Sequence, residues 1–384
     1  MFADIKKIAK RILKPNAHQP ILGDHPYGGQ EDSSITFVMV CRQGFNINVP
    51  NANATIRLGI CRGFAKIGVR YQLVSVWELE KVLPELRRPF IYLSCYDYED
   101  LNSHVLKLLR KYPHLIWVNP WFADLEKVYA EHNLPDPRLS AQTTLRILES
   151  GASFLFAPVP PSCLHFYEEW ERCGQKLVSL PLACDTTRYF PQPGDKRFTG
   201  TQLAFVGGYR AYKNIQYDKY LKPYEDILRV YGYDRWPYKG YGGLLADDDE
   251  RVLYQNARVC PALSEPHAEL MGDIVERAFK VIGSGGLAIT DLVPGYRELF
   301  APDELLVPQS FEEYHAKVHQ ALDDPTFNQH YRERGYRAII ERHTYAHRAQ
   351  TILDALGLSL VLNSRKKSTN KQTKNVPGSS IREK

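Results

Sequence analysis

The sequence predicts an α/β fold built from two doubly wound, Rossmann-like domains that face each other across a cleft. Three observations lead to this prediction. Short, near-continuously apolar runs alternate with helix-length segments, which is typical of a parallel sheet wrapped by helices. The alternation is interrupted by the charged, Gly- and Pro-containing residues 192–200, and then resumes. At 384 residues the chain also exceeds the roughly 250–300 residues over which a single hydrophobic core usually grows.

The first domain is predicted over residues 35–195. Its apolar runs have the pattern expected of strands that are buried on both faces of a sheet. They cover residues 35–41, 69–75, 89–95, 114–120, 153–159 and 176–182. Residues 1–34 precede this domain as a basic amphipathic segment followed by a turn-rich linker.

The second domain is predicted over residues 196–362, and residues 363–384 are predicted to be a disordered basic tail. The predicted strands of this domain cover 201–208, 226–232, 257–263, 286–291 and 304–308, and the predicted helices cover 247–256, 273–284, 310–323 and 326–356. Ligands of open α/β sheets bind outside the carboxyl ends of the strands. The cleft between the two domains is therefore the expected ligand site.

Composition and charge exclude several classes of protein. The 24 Tyr and 16 Phe are too many for a disordered chain. The net charge of +5 comes from the two ends, so the body of the chain has an acidic excess that argues against a nucleic-acid-binding core. The seven scattered Cys contain no C-x-x-C pair, which favours a reducing, cytoplasmic compartment. No apolar run reaches the roughly 18 residues of a membrane span.

Residues 1–15 have the pattern of a short basic amphipathic helix. Ile5, Ile8 and Ile12 recur at helical spacing, and Lys and Arg fill most of the other positions. Such a helix is expected to lie on an anionic membrane surface, which would make the protein peripheral to a membrane. Two alternatives remain open, a helix docked on the protein's own surface and a solvated tail.

The segment from Gly272 to Asp291 carries the most functional information. In a helix over 273–284, Asp273, Glu276 and Lys280 share the side opposite an apolar stripe. The helix N-terminus at Gly272 and Asp273 would offer N–H groups to a diphosphate, and Glu276 could hold ribose hydroxyls. Alternatively, Glu276 and Lys280 form an ordinary ion pair on the helix surface.

Four segments together resemble the carboxyl-terminal half of GT-B glycosyltransferases. They are ERAFKVIGSGGLAITD, VPGYRELF, FEEYHAKVHQALDDP and RHTYAHRAQTIL, and their order and spacing are similar to the branch of spore-maturation-type and other group 1 enzymes. The resemblance implies a GT-B fold and the transfer of a sugar from a nucleotide-diphosphate sugar to an acceptor hydroxyl. The acceptor would be a glycan, a lipid-linked compound or a protein, and no cofactor besides the donor is expected.

The same resemblance implies roles for residues that follow the first strand of the second domain. Gly207 and Gly208 would let the backbone approach the donor phosphates, and Arg210 and Lys213 would contact the diphosphate. A tight turn with solvated charges is the alternative. The sequence departs from the family at one pattern: many retaining members have two Glu separated by seven residues, and those positions are Gly272 and Lys280 here. Glu276 is the nearest carboxylate that could contact the ribose.

Asp97 and Glu269 are the candidate catalytic residues, because each follows a predicted strand on the ligand-binding side of its sheet. The alternatives are a helix-capping role for Asp97 and a solvated loop position for Glu269, and Glu265 is an equivalent candidate. The acidic run at residues 247–249 is better explained as the start of a helix than as a metal site. We therefore expect no metal, with basic side chains stabilising the departing diphosphate.

Two other functions fit the same scaffold. One is a nucleotide-sugar epimerase. The other is a noncatalytic scaffold whose basic ends, residues 1–15 and 365–384, bind a membrane or acidic partners.

Overall fold

A computed structural model describes residues 27–31, 33–41, 52–99, 101–117, 141–246 and 248–359. The predicted amphipathic segment 1–15, the predicted tail 363–384 and Asp247 lie outside the described residues.

The first sheet has seven strands in the described chain, in the order β1-β3-β2-β4-β5-β6-β7. The strands are β1 (Tyr27–Gly28), β2 (Thr36–Cys41), β3 (Arg70–Ser75), β4 (Pro89–Ser94), β5 (His114–Trp117), β6 (Phe154–Ala157) and β7 (Leu177–Ser179). All neighbours pair parallel except β1 with β3. The six strands predicted from apolar runs are therefore confirmed, and their parallel order reverses direction between β2 and β4.

Both faces of this sheet are buried, which explains why its strands are continuously apolar. In β2, Phe37 and Met39 face one hydrophobic cluster, whereas Val38 and Val40 face another. The described helices that cover the faces are α1 (Ala52–Lys66), α2 (Leu79–Val82), α3 (Ser103–Leu109), α4 (Ala141–Ser150) and α5 (Glu168–Arg172).

The second sheet begins with β8 (Leu203–Val206), β9 (Leu228–Tyr231), β10 (Cys260–Ala262) and β11 (Ala288–Thr290). β8 pairs with β9, β10 pairs with β11, and a parallel bridge from Leu203 to Val259 joins the two pairs. The order is thus β9-β8-β10-β11, and the winding reverses between β8 and β10. The predicted strand at 304–308 is reduced to a single bridge between Ile289 and Leu306.

Eight helices of the described chain follow β7. They are α6 (Asn214–Tyr220), α7 (Asp249–Asn256), α8 (Ala268–Met271), α9 (Glu276–Gly283), α10 (Tyr296–Leu299), α11 (Phe311–Asp323), α12 (Pro325–Arg342) and α13 (Tyr345–Ala355). The helix predicted over 326–356 is two helices, because His343 (φ −126°, ψ 38°) and Thr344 (ψ 158°) leave the helical region.

The predicted start of helix 273–284 is wrong. Gly272 has a φ of 71° and ends α8 in the left-handed region, which glycine adopts without steric cost. Val275 is extended, with φ −90° and ψ 144°, so α9 begins at Glu276. The helix N-terminus that we expected at Gly272 and Asp273 therefore lies one turn later.

The chain passes between the two sheets at Cys184 and again at Thr344, and these crossings pair with each other. The Cys184 amide donates to the His343 carbonyl at 2.9 Å, and the Tyr345 amide donates to the Cys184 carbonyl at 3.1 Å. After the second crossing, α13 packs on α1 and adds Ala349 and Ile352 to the core of the first sheet. We call residues 27–183 with α13 the amino lobe, and residues 203–342 the carboxyl lobe.

The His343 imidazole at this crossing is neutral. It is 5% exposed, its Nε2 lies 2.9 Å from the Leu299 carbonyl, and its Nδ1 lies 3.2 Å from a guanidinium nitrogen of Arg348. Burial, with Arg348 as the second cause, lowers the pKa of His343 to about 3.

This pKa predicts a stability difference between pH 3 and 6.5. In that window the unfolded imidazole binds a proton and the folded one does not, so His343 makes the folded state less stable as the pH falls. Between pH 3 and 6.5 the unfolding free energy of the wild type should rise with pH, in part because the unfolded chain binds up to one more proton at His343 than the folded chain does. We expect His343→Gln to remove this contribution and so to lower the slope by up to about 1.4 kcal/mol per pH unit. Urea titrations at several pH values measure the slope. The exposed His330→Gln is the control, and equal slopes for wild type and His343→Gln would contradict the assignment.

A candidate active site between the two lobes

A cavity of about 500 Å³ lies between the lobes, a size typical of small-molecule sites. Its floor is the end of β8 at Val206 and the residue after β10, Leu263, which is where the strand order of the second sheet reverses. The amino lobe closes it with Ala52, Ile56 and Pro158. The structure therefore places a cavity at the position where doubly wound sheets bind ligands.

The loop after β8 forms one wall of this cavity. Gly207, Gly208, Arg210 and Lys213 all line it, so the four residues expected to contact the donor phosphates lie together. The Gly207 amide, however, already donates to the Tyr231 carbonyl at 2.9 Å. A Cβ on Gly207 would lie 3.0 Å from a guanidinium nitrogen of Arg277 and 3.0 Å from the Phe205 ring, so a side chain at this position would crowd both.

The two cations predicted in this loop each have a carboxylate partner. Arg210 is largely exposed and lies 2.8 Å from Asp234. Lys213 is buried, with its Nζ 2.6 Å from the Glu265 carboxylate and 3.2 Å from the Ser264 carbonyl. Burial lowers the pKa of Lys213, and Glu265 opposes that shift. Both charges are thus balanced within the protein.

Glu276 and Lys280 form the expected ion pair across one helical turn, but the pair is buried. The Lys280 Nζ lies 3.0 Å from Glu276, and the two side chains are 7% and 5% exposed. The Thr55 hydroxyl donates to one Glu276 oxygen at 2.6 Å, and the Tyr345 hydroxyl donates to the other at 2.7 Å. We call Thr55, Glu276, Lys280 and Tyr345 the interlobe cluster. It joins α1 and α13 of the amino lobe to α9 of the carboxyl lobe.

Asp273 lines the cavity, whereas Gly272 is not among its lining residues. Gly272 packs against the Cys163 sulfur and the Gly295 backbone instead. Burial raises the pKa of Asp273, and His267, 3.8 Å away, opposes the rise. Asp273 therefore lies at the cavity, but it does not lie at a helix N-terminus.

The two candidate catalytic residues lie outside the described wall of the cavity. Asp97 is 1% exposed, accepts the Ser94 amide at 2.7 Å and is paired with Arg57 at 3.3 Å. Glu269 accepts the Tyr220 hydroxyl at 2.9 Å. Their catalytic role stays a prediction. The carboxylates that do line the cavity are Glu250, Glu265, Asp273 and Glu276.

Arg277 also lines the cavity and was not predicted from the sequence. Its Nε donates to the Val206 carbonyl at 2.8 Å, and its Nη1 donates to the Leu263 carbonyl at 2.7 Å. The guanidinium also lies 4.5 Å from the ring centroid of Phe205. The sequence did contain a signal for Arg277, because this residue directly follows Glu276 on a helix that was expected to face the cleft. Tyr233 and Leu244, 47% and 52% exposed, form an apolar rim that was also missed.

The family whose model matches the chain is described as glycosyl transferase-like, and the match covers residues 217–354. These residues hold β9 to β11 and contribute α9 to the cavity. A comparison with curated proteins gives no significant match.

Solved structures share the fold over most of the chain. Sucrose-phosphate synthase from Thermosynechococcus elongatus has a TM-score of 0.57 at 13% identity, covering 85% of this chain and 99% of that one. HepE of Anabaena, solved with UDP and glucose, has a TM-score of 0.55 at 10% identity, covering 84% and 99%. A UDP-forming trehalose-phosphate synthase from Burkholderia vietnamiensis has a TM-score of 0.54 at 9% identity, covering 85% and 99%.

The chain has the fold of GT-B glycosyltransferases, and its residues 217–354 match a glycosyl transferase-like family. The predictions of the fold and of this enzyme class are confirmed. The narrower likeness to spore-maturation-type enzymes stays a prediction.

Two observations concern metals and membranes. Within the described ranges, no group of three or more His, Cys, Asp or Glu residues is arranged to hold a metal ion. Among the helices that the structure describes, none is both long and apolar enough to cross a bilayer.

The burial of the interlobe cluster predicts a large effect of one substitution. Glu276→Ala removes the nearer carboxylate from the buried Lys280 ammonium, which keeps Glu250 at 3.9 Å, and it removes the acceptor of the Thr55 and Tyr345 hydroxyls. We expect these losses to cost about 3–5 kcal/mol of unfolding free energy. Glu168→Ala is the matched control, because Glu168 and Arg172 form the same helical type of pair while more than half exposed. The control should cost less than about 1 kcal/mol. Denaturant titration compares the two variants, and similar losses would contradict a structural role for the cluster.

Proposed function

We propose that the protein transfers a sugar from a nucleotide-diphosphate sugar to an acceptor hydroxyl, with the donor bound in the interlobe cavity. The observation that carries the proposal is the cavity itself, because its position at the reversal point of the second sheet coincides with the predicted phosphate-contacting loop. The family match over residues 217–354 supports sugar transfer as the chemistry.

The donor would lie with its diphosphate between the β8 loop and α9. Gly208 and Lys213 are on one side of this space and Asp273 and Glu276 are on the other. Glu276 remains the proposed ribose contact. Its carboxylate already accepts two hydroxyl hydrogen bonds, which is the chemistry that ribose hydroxyls offer. The apolar rim at Tyr233 and Leu244 is suited to the flat face of a nucleobase.

We propose that transfer needs no divalent metal. Arg210, Lys213, Arg277 and Lys280 bring four cations to the cavity wall, and preorganised cations can stabilise the charge that develops on a departing diphosphate. The acceptor would be a glycan, a lipid-linked compound or a protein that enters from the amino lobe.

The basic amphipathic segment 1–15 would hold the protein at an anionic membrane surface on the cytoplasmic side. Cosedimentation with anionic vesicles of the full chain, and of a chain that lacks residues 1–15, tests this placement. Equal binding of the two proteins to the vesicles would show that residues 1–15 do not hold the protein at the membrane.

Calorimetric titration of the full chain with UDP-, GDP-, ADP- and dTDP-sugars tests the proposed function. UDP-glucose is the first donor to try, since UDP and glucose are present in the HepE structure. We expect one donor class to bind with a dissociation constant below millimolar. We also expect the rate at which this donor releases its nucleoside diphosphate to change less than twofold when EDTA is added. Absence of binding by every donor at millimolar concentration would end the proposal. A tenfold loss in EDTA, restored by Mg²⁺, would end its metal-independent form.

Lys213→Met tests the phosphate-contacting loop. A lost charge-assisted hydrogen bond to phosphate costs roughly 1.5–3 kcal/mol, so we expect donor affinity to fall at least tenfold. Lys222→Met is the control, because Lys222 is 61% exposed and does not line the cavity. Donor affinity that is equal in the two variants would place the diphosphate elsewhere.

A further inference from the structure

We propose that Arg277 is the main diphosphate-binding residue of the interlobe cavity. The proposal rests on the proposed function and deepens it, because it assigns the contact to a residue outside the loop that follows β8. The supporting observation is that the Arg277 guanidinium is hydrogen-bonded to the ends of β8 and β10, which form the cavity floor.

Within the part of the chain that the structure describes, two of the five guanidinium N–H groups of Arg277 donate hydrogen bonds. Its Nε and Nη1 donate to the carbonyls of Val206 and Leu263, which are the last residue of β8 and the residue after β10. These bonds, together with the Phe205 ring 4.5 Å away, fix the plane of the guanidinium. The hydrogen bonds of the described chain leave its Nη2 group and one Nη1 hydrogen for a ligand.

In this proposal the remaining donors face the cavity. Arg277 is one of the cavity-lining residues, and its Nη2 lies 3.0 Å from the place that a Cβ on Gly207 would occupy. A side chain at position 207 would crowd this guanidinium, so glycine lets Arg277 keep its place at the cavity wall. A planar fork of N–H donors with fixed orientation matches the bidentate geometry that phosphoryl oxygens favour.

Charge balance separates Arg277 from the other cations of the cavity. Arg210, Lys213 and Lys280 lie 2.8, 2.6 and 3.0 Å from the carboxylates of Asp234, Glu265 and Glu276, respectively. Within the described residues, Arg277 has no ion pair and bonds only to backbone carbonyls. An anion therefore gains more from Arg277, because no internal carboxylate has to be displaced.

The backbone offers less to an anion than the loop sequence suggested. The Gly207 amide donates to the Tyr231 carbonyl, and its carbonyl accepts the Trp236 indole N–H at 3.0 Å. Neither group of Gly207 is directed at a ligand. The space left by the glycine serves the guanidinium of Arg277 instead.

The experiment compares Arg277→Lys with Arg332→Lys in the full chain. Arg332 is the matched control, because it also bonds to the carbonyls of Gln255 and Gly285, at 2.8 and 2.7 Å, but does not line the cavity. The probes are UDP, GDP, ADP and dTDP, the corresponding nucleosides, and inorganic pyrophosphate. Affinities are measured by calorimetry, and thermal unfolding verifies that each variant is folded.

We expect Arg277→Lys to weaken binding of the preferred nucleoside diphosphate and of pyrophosphate at least tenfold, while nucleoside affinity changes less than twofold. Arg332→Lys should leave the ratio of diphosphate to nucleoside affinity unchanged. If Arg277→Lys weakens diphosphate and nucleoside equally, or weakens neither, Arg277 only supports the cavity wall and the inference is wrong. If wild type binds pyrophosphate through Arg277 but binds no nucleotide, the anion site stands and the proposed function fails. If wild type binds neither, both fail.

Discussion

A buried carboxylate between the two lobes is the constraint on which the rest of the structure depends. Glu276 is carried by the carboxyl lobe, but the hydroxyls that solvate it, from Thr55 and Tyr345, belong to the amino lobe. A charged group away from water is stable only while its partners are in place. The favourable arrangement of this charge therefore requires the lobes to be closed on each other, with the cavity between them.

The backbone supports the same arrangement. The two crossings of the chain pair at Cys184 and Thr344, so the second crossing fixes the position of the first. Because Tyr345 directly follows Thr344, the crossing also places its hydroxyl on Glu276. The pairing of the two crossings and the hydrogen bonds to Glu276 thus act together. They fix the position of the amino-lobe residues over the ends of β8 and β10. The shape of the proposed donor site follows from it.

Much of the fold could be predicted from the sequence, because strands buried on two faces are continuously apolar and leave a local signal. The bounds of α9 could not. Gly272 adopts its positive φ where Cys163 and Gly295 pack against it, and these contacts come from distant parts of the chain. The break at His343 likewise depends on the second crossing between the lobes, which has no local pattern.

The loop after β8 was correctly predicted to line the site, but the hydrogen-bond partners of Glu276 were not predicted. Gly207, Gly208, Arg210 and Lys213 line the cavity as expected, since they follow a strand end. The partners of Glu276 lie 221 and 69 residues away along the chain, and no spacing rule connects them. Arg277 was overlooked because an arginine next to an acidic residue on a helix also fits a solvated surface. Its function depends on the carbonyls of two strands that only the folded chain brings together.

A crystal structure of the protein with its preferred nucleoside diphosphate tests the account most directly. We expect density for the diphosphate in the interlobe cavity, within hydrogen-bonding distance of Arg277 and Lys213, with the bonds from Thr55 and Tyr345 to Glu276 either retained or replaced by ribose hydroxyls. A nucleotide bound outside this cavity, or inside it with its phosphates turned away from both cations, would contradict the account.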